Sequence, residues 1–225
     1  FLSRYNIEDE LKKIKEEFIL ILNPDTKILA GTLKYMISFM EENPGVGAAT
    51  CKILKENGTI DWASHRGFPT PIAAALYYLF NNDSLYHLTS RDMGKTHEVD
   101  AIVGAFFLTR KSVLEKVGLF DEKFFMYGED IDLCLRIKKI GLKVMYIPEV
   151  SIEHFKGVSS GLKTESQKIT TASKETKLRA FDAFYESMKI FYKKHYQKKY
   201  PFFVNWAMLT GINLKWWMAR RKMIV

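Results

Sequence analysis

Short unbroken apolar runs alternate with longer mixed segments along this chain, and that alternation sets the expected elements. Phe18–Leu22 is wholly apolar and reads as a strand buried on both faces. It stops at Asn23-Pro24-Asp25-Thr26. Residues 28–42 carry a helical period that ends at Asn43-Pro44-Gly45. Val46–Leu54 reads as a second strand, Asn57-Gly58 as a hairpin turn, and 59–63 as the return from it. Strand, helix, strand in this order predicts a parallel α/β core with an antiparallel excursion.

The middle of the chain is less regular. Residues 66–71 are turn-rich, 72–80 read as a short helix, and 81–96 as a polar, mobile loop. Residues 99–108 form a buried strand broken by Gly104, and Lys111–Val117 a short helix. A helix then opens at Glu129 behind Gly128, and Gly141 ends its period. Strands follow at 143–147 and 150–154, on either side of Pro148. Residues 157–176 are rich in Ser, Thr, Lys and Gly and read as flexible. A helical pattern covers 177–198, and Pro201 separates it from 202–218, which is apolar nearly all round. Ahead of the first strand, 6–17 reads as a polar helix with Asn6 as its cap.

Composition changes this picture in two places. Cys51 and Cys134 lie far apart inside apolar patterns, which suits two reduced core thiols. The net charge of +8 is concentrated at the end of the chain: residues 189–225 hold nine Lys and Arg and no acid. That tail therefore has a partner of its own. Trp206, Trp216 and Trp217 with basic flanks suit a helix lying on an anionic membrane surface through residues 200–222. The run is short for a spanning helix and is interrupted by Gly211. A terminal helix docked on the core is the competing reading. No nucleic-acid module accompanies the basic residues, so no nucleic-acid partner is expected. The expected location is cytoplasmic, peripheral on the inner face of the cell membrane.

Three groups of residues could carry chemistry. Asp25, held in a turn after a buried strand, can ligate a hard divalent cation, although Asn-Pro alone also makes an ordinary turn. Glu129, Asp130 and Asp132 open a helix beside the apolar run 124–127 and could supply a general base, or simply complement the helix dipole. His154 follows a strand and is by itself more often structural than a ligand.

In order and spacing these groups say more. Leu20-Ile-Leu-Asn-Pro-Asp-Thr26, Arg66-Gly-Phe-Pro-Thr-Pro71 and Val103-Gly-Ala-Phe-Phe-Leu-Thr-Arg110 come first. Gly118-Leu-Phe-Asp-Glu-Lys-Phe-Phe-Met-Tyr-Gly-Glu-Asp-Ile-Asp-Leu-Cys-Leu-Arg136 and His154-x-x-Gly-x-Ser159 follow. Together they resemble the family 2 glycosyltransferases of the rhamnosyltransferase-like bacterial branch. The resemblance implies a GT-A-type α/β fold with a mostly parallel sheet. It implies inverting, metal-dependent transfer of a sugar from a nucleotide-sugar donor to a glycan or lipid-linked acceptor, with rhamnose the family-level expectation for the sugar. Asp25 and His154 would hold Mg²⁺ or Mn²⁺. Asp130, flanked by Glu129, would be the base. Asn23, Trp62, Arg66, Gly104 and Asp132 would contact substrate.

The expected organisation is a transferase domain over 1–160 and a flexible and helical tail over 161–225. The family's N-terminal nucleotide-binding βαβ region has no match here, so the chain is expected to be part of something longer. A non-catalytic domain of the same fold is the alternative.

Overall fold

The computed structural model describes residue 11 and residues 13–155 and 173–224. The described residues fall into two compact units. The first gathers those up to Pro69 with Ala73–Glu122 and Asp130–Phe155; the second gathers Thr70–Ile72, Lys123–Glu129 and those after Phe155.

The first unit is built on one mixed sheet. Its strands are β1 (Phe18–Leu22), β2 (Thr26–Ile28), β3 (Val46–Leu54), β5 (His97–Val99), β7 (Phe106–Arg110) and β8 (Lys143–His154). The order is β1-β7-β3-β8-β2, with β5 on the same edge of β8 as β2. A separate two-stranded ladder joins β4 (His65–Arg66) to β6 (Ala101–Ile102). The helices are α1 (Thr32–Glu42), α2 (Pro71–Phe80), α3 (Lys111–Val117) and α4 (Glu129–Lys139).

β3 is the spine. It is almost wholly buried, between β7 on one side and β8 on the other. Met36 and Met40, one turn apart on α1, bury fully against Ala49, Cys51 and Ile53 of β3 and Phe106 and Leu108 of β7. Gly47 lets α4 come close, because a Cβ there would meet the Ile137 side chain at 2.5 Å. Gly141 at φ +85° turns the chain out of α4, a backbone conformation that glycine alone adopts without strain. Cys51 and Cys134 are both free and buried, and desolvation pushes the Cys51 thiol up to about 12. Both behave as core residues, as their apolar patterns predict.

Arg136 ties the unit together ahead of β8. Its Nε donates to Asp132 Oδ2 at 2.8 Å, and its Nη atoms donate to the carbonyls of Val117, Gly118 and Leu119 at 2.6–2.8 Å. Asp132 is fully buried. One guanidinium thus anchors α4 to the end of α3 and the turn after it.

The second unit has its own two helices, α5 (Lys174–His195) and α6 (Phe202–Ile224). Ser173 caps α5 by accepting from the Thr176 N–H. Asn205 of α6 accepts from the Tyr192 hydroxyl at 2.7 Å, and the Trp216 indole N–H donates to Asp182 at 2.7 Å.

Several expectations change. The sheet is evenly mixed and not mostly parallel. β1, β3 and β8 run one way, while β7, β2 and β5 run against them. A continuous apolar run reports burial on both faces, not direction. β1 itself is half-buried and not fully covered. Residues 26–28 form β2, and the helix expected from 28 begins at Thr32 behind Gly31 at φ +82°. Asn57-Gly58 makes its turn, but the return is one bridge, Leu54 to Ile60, followed by a 3-10 turn at Trp62–Ser64. Residues 81–96, expected to be mobile, are cross-bonded: Gly67 N–H donates to the Tyr86 carbonyl, and Asp83 accepts from Thr89 and pairs with His87. Helix α6 runs through Gly211 without a break. Of the expected helix over 6–17, residues 14–17 are not helical, and Asn6 lies outside the described residues, as do positions 157–172 of the flexible segment.

Removing Arg136 leaves Asp132 buried without its counter-charge and three carbonyls without a donor. Arg136→Met should cost about 3–5 kcal/mol of folding stability. A urea melt of the variant checks this, and a change near zero contradicts the anchoring role.

Candidate active site

Four of the predicted site residues, Asn23, Asp25, Gly104 and His154, gather where the parallel strands β1 and β8 end. Asn23 follows the last residue of β1, and His154 is the last residue of β8, so both sit at the same carboxyl edge of the sheet. The antiparallel β7 starts at that edge, because Leu22 pairs with Phe106. Residues 103–105 therefore lie beside Asn23. A Cβ on Gly104 would stand 4.0 Å from Asn23 Oδ1.

β2 closes the group. Thr26 pairs with His154, Lys27 with Glu153 and Ile28 with Ile152. The Phe155 N–H donates to the Asp25 carbonyl at 2.9 Å, and the Thr26 hydroxyl donates to the Ala105 carbonyl at 3.3 Å. The result is direct: His154 Nε2 lies 3.0 Å from Asp25 Oδ1, and Asn23 Nδ2 lies 3.5 Å from the same nitrogen. Both Asp25 and His154 side chains keep a small solvent-exposed fraction.

Asp130 is the second residue of α4. Its Oδ1 accepts from the Ile131 N–H at 2.8 Å, and the Gly104 N–H also donates to its carboxylate. The residue as a whole is only partly covered, yet its carboxylate is densely surrounded. Desolvation pushes its pKa above the ordinary carboxylate value, against the pull of Arg66 and of the backbone amides.

Arg66 stands on β4 behind this carboxylate. Its Nη1 donates to the Tyr86 hydroxyl at 3.1 Å and its Nη2 to the Ala63 carbonyl at 3.4 Å, with the guanidinium 5.7 Å from the Tyr86 ring centroid. Burial alone would lower the Arg66 pKa, but Tyr86, Asp130 and Asp61 outweigh it and keep the group charged. Tyr86 was missed in the sequence because it lies in a stretch read as a polar loop. The signal available was an aromatic pair, Tyr86-His87, inside that stretch.

Asp61 accepts from the Ala63 N–H and shapes the Trp62–Ser64 turn, leaving the Trp62 indole half exposed. The Val103 N–H donates to the Ser64 carbonyl at 3.2 Å, so this turn abuts the residue before Gly104.

Asp132 is placed differently. It faces the interior in its ion pair with Arg136 and offers nothing to a ligand. Helix period explains this, since it lies two residues beyond Asp130 and so points away from it. Glu129 is the first residue of α4.

The expected metal pair offers one carboxylate oxygen, the donor type a hard cation takes, and one imidazole nitrogen, a softer donor, 3.0 Å apart. No group of three or more His, Cys, Asp or Glu side chains placed to hold a metal ion occurs among the described residues. A cation held here would complete its shell with water and substrate oxygens, as Mg²⁺ commonly does.

Comparison with known proteins bears on the same stretch. The chain is 27% identical over 149 residues to rhamnosyltransferase WbbL of Escherichia coli K12, covering 66% of this chain and 56% of that protein. It is 27% identical over 152 residues to the N-acetylglucosaminyl-diphospho-decaprenol L-rhamnosyltransferase of Mycobacterium tuberculosis, covering 65% of this chain and 49% of that one. The chain thus spans about half the length of these relatives. Among solved structures, GalNAc-T7 with UDP, GalNAc and Mn²⁺ aligns at a TM-score of 0.46 and 13% identity, over 82% of this chain and 36% of that one. S. aureus TarS aligns at 0.44 and 17%, over 80% and 25%. The model of the family described as glycosyltransferase like family 2 matches residues 3–179, well over half of the chain. On that match, the α/β chain with Asp25, Asp130 and His154 at one sheet edge belongs to the family 2 glycosyltransferases.

Proposed function

We propose that this chain forms the catalytic half of an inverting, metal-dependent glycosyltransferase that uses a nucleotide-sugar donor. The observation that carries the reading is the meeting of Asp25, His154, Gly104 and Asp130 at one sheet edge, reached from four separate segments. Nothing in core packing calls for a carboxylate–imidazole pair there.

In this reading Asp25 and His154 hold Mg²⁺ or Mn²⁺. When bound, the cation offsets the charge that grows on the departing nucleoside diphosphate. Asp130 faces the acceptor. As the acceptor oxygen forms its bond to the anomeric carbon, the bond from that carbon to the diphosphate oxygen breaks, and its electron pair leaves with the diphosphate. The acceptor proton passes to Asp130 Oδ. A single displacement of this kind inverts the anomeric centre. Burial raises the basicity of Asp130, and the charge of Arg66 opposes that shift. Asn23 and Gly104 border the Asp25–His154 pair, and in this reading they face the donor diphosphate. The half-exposed Trp62 offers a face for a sugar or a base. The names of the two relatives favour rhamnose as the sugar and a lipid-linked or glycan acceptor. The basic tail favours action at the inner face of the cell membrane.

Mn²⁺ binding in the presence of a nucleoside diphosphate, read from the free-ion electron paramagnetic resonance signal, tests the metal pair. Asp25→Ala should weaken it by about tenfold or more; unchanged binding contradicts the assignment. Asp130→Asn should lower turnover by about 100- to 10,000-fold with donor binding retained, and full turnover in that variant rejects the base.

Arg66→Gln tests the electrostatics without a substrate. Arg66 lowers the Asp130 pKa, so its loss should move that carboxyl's titration to higher pH, read from its ¹³C resonance. Because the base must be ionised, the acid limb of the rate profile should move to higher pH in the same variant. No movement in either reading contradicts the pairing.

A further inference from the structure

Helix α6 has two faces of unequal fate, and only one is used within its own unit. The inner face is the one that meets α5: Asn205 accepts from Tyr192, Trp216 donates to Asp182, and Arg220 pairs with the same Asp182 at 3.5 Å. The opposite face carries Phe203, Trp206, Leu214, Trp217 and Met218, which at about 100° per residue fall within an arc of about 120° around the helix. These five are 45–69% exposed. Two of the three tail tryptophans are therefore outside, while Trp216, expected beside them, is turned inward by its bond to Asp182.

A stripe of this size costs hydrophobic free energy in water and calls for a partner. The charge pattern says which. Lys198 and Lys199 precede the helix, Arg221 closes the stripe, and residues 189–225 hold no acid at all. The Arg221 guanidinium lies 3.6 Å from the Trp217 ring centroid, so the cation is stacked over the indole at the end of the stripe. Amphipathic tryptophans with basic residues beside them match the headgroup layer of an anionic bilayer. The length of the helix does not argue for more: no helix among the described residues is long and apolar enough to cross a membrane.

We propose that the outer face of α6 is a docking surface for an anionic lipid bilayer, on which the helix lies parallel to the membrane plane with Trp206, Leu214 and Trp217 in the interfacial layer. This deepens the membrane-face part of the proposed function by naming the surface that makes the contact, and it does not depend on sugar transfer, because the surface is read from packing and charge alone.

Flotation with vesicles of phosphatidylcholine, with and without phosphatidylglycerol, tests the surface on the whole chain. The chain should float with the anionic vesicles, and Trp206→Ser/Trp217→Ser should reduce the bound fraction at least tenfold. Circular dichroism controls for loss of the helix, and Trp216→Phe on the inner face should float as the parent does. Equal binding to neutral and anionic vesicles, or unchanged flotation of the double variant, overturns the proposal. So does a dimer in light scattering that the double variant abolishes while no vesicle binding occurs, since the stripe would then be covered by a second copy. All of these readouts are independent of turnover, so inactivity of the enzyme leaves the result intact.

Discussion

Three paired residues hold the candidate site together. β2 is only Thr26–Ile28, and its register on β8 sets Thr26 against His154. Asp25, one residue before the pairing starts, is thereby set at the end of the strand that His154 finishes. Side chains alternate across a strand, so a slip of one residue would send every β2 side chain to the other face. The Asp25–His154 contact of 3.0 Å is thus as secure as that register. The register has outside support. The Thr26 hydroxyl is tied to Ala105, the Lys27 ammonium to Glu153, and the first residue of α1, Thr32, to the Ser151 carbonyl at 2.8 Å. β8 serves β2 through 152–154 and β5 through 144–146, and on its other edge its pairing with β3 shifts between Cys51 and Lys52, opposite Ile147 and Ser151. Pro148 lies in that irregularity, where a missing N–H costs no ladder bond.

A second constraint is electrostatic and comes from the other side of the site. Burial of the Asp130 carboxylate disfavours its charged form. The backbone amides of Ile131 and Gly104 and the charge of Arg66 oppose this. Arg66 is itself enclosed, and it stays charged through Tyr86, Asp61 and Asp130. The two ions support each other, and each is also tied to the backbone, Asp130 at Gly104 and Arg66 at Ala63. Gly104 is the shared element. Its amide serves Asp130 and its bare Cα faces Asn23, so one residue between β6 and β7 borders both the metal-type edge and the base.

Much of this was legible in the chain, for identifiable reasons. The bounds of Phe18–Leu22, Val46–Leu54 and Lys111–Val117 follow from apolar runs with clear stop signals, and the structure keeps all three. Asp25, Asp130 and His154 stood out because their residue types and order are those of a family motif. What stayed hidden depended on distance in the chain. Nothing local marks 26–28 as a strand, since three residues with one apolar member have no readable period. Tyr86 reaches Arg66 across 20 positions, and polar composition around it mimics a free loop. Asp132 looked equivalent to Asp130 because sequence shows neighbours, whereas a helix turns its residues by about 100° each and buries one while presenting the other.

Helix α6 shows the same limit from the opposite direction. Its sequence is apolar nearly all round, so periodicity distinguishes no face, and Gly211 looked like an interruption. Packing supplies the difference. One side is selected by polar atoms that find partners: Asn205 with Tyr192, and Trp216 with Asp182. The indole N–H of Trp216 has an acid to meet, whereas Trp206 and Trp217 point where no acid exists in the tail. Chemically identical residues are therefore sorted by a single carboxylate on α5. A helix whose inner face is fixed by directional bonds cannot roll to hide its outer stripe. That stripe is the surface proposed to meet an anionic bilayer, and the positive charge around it is the feature that favours such a partner.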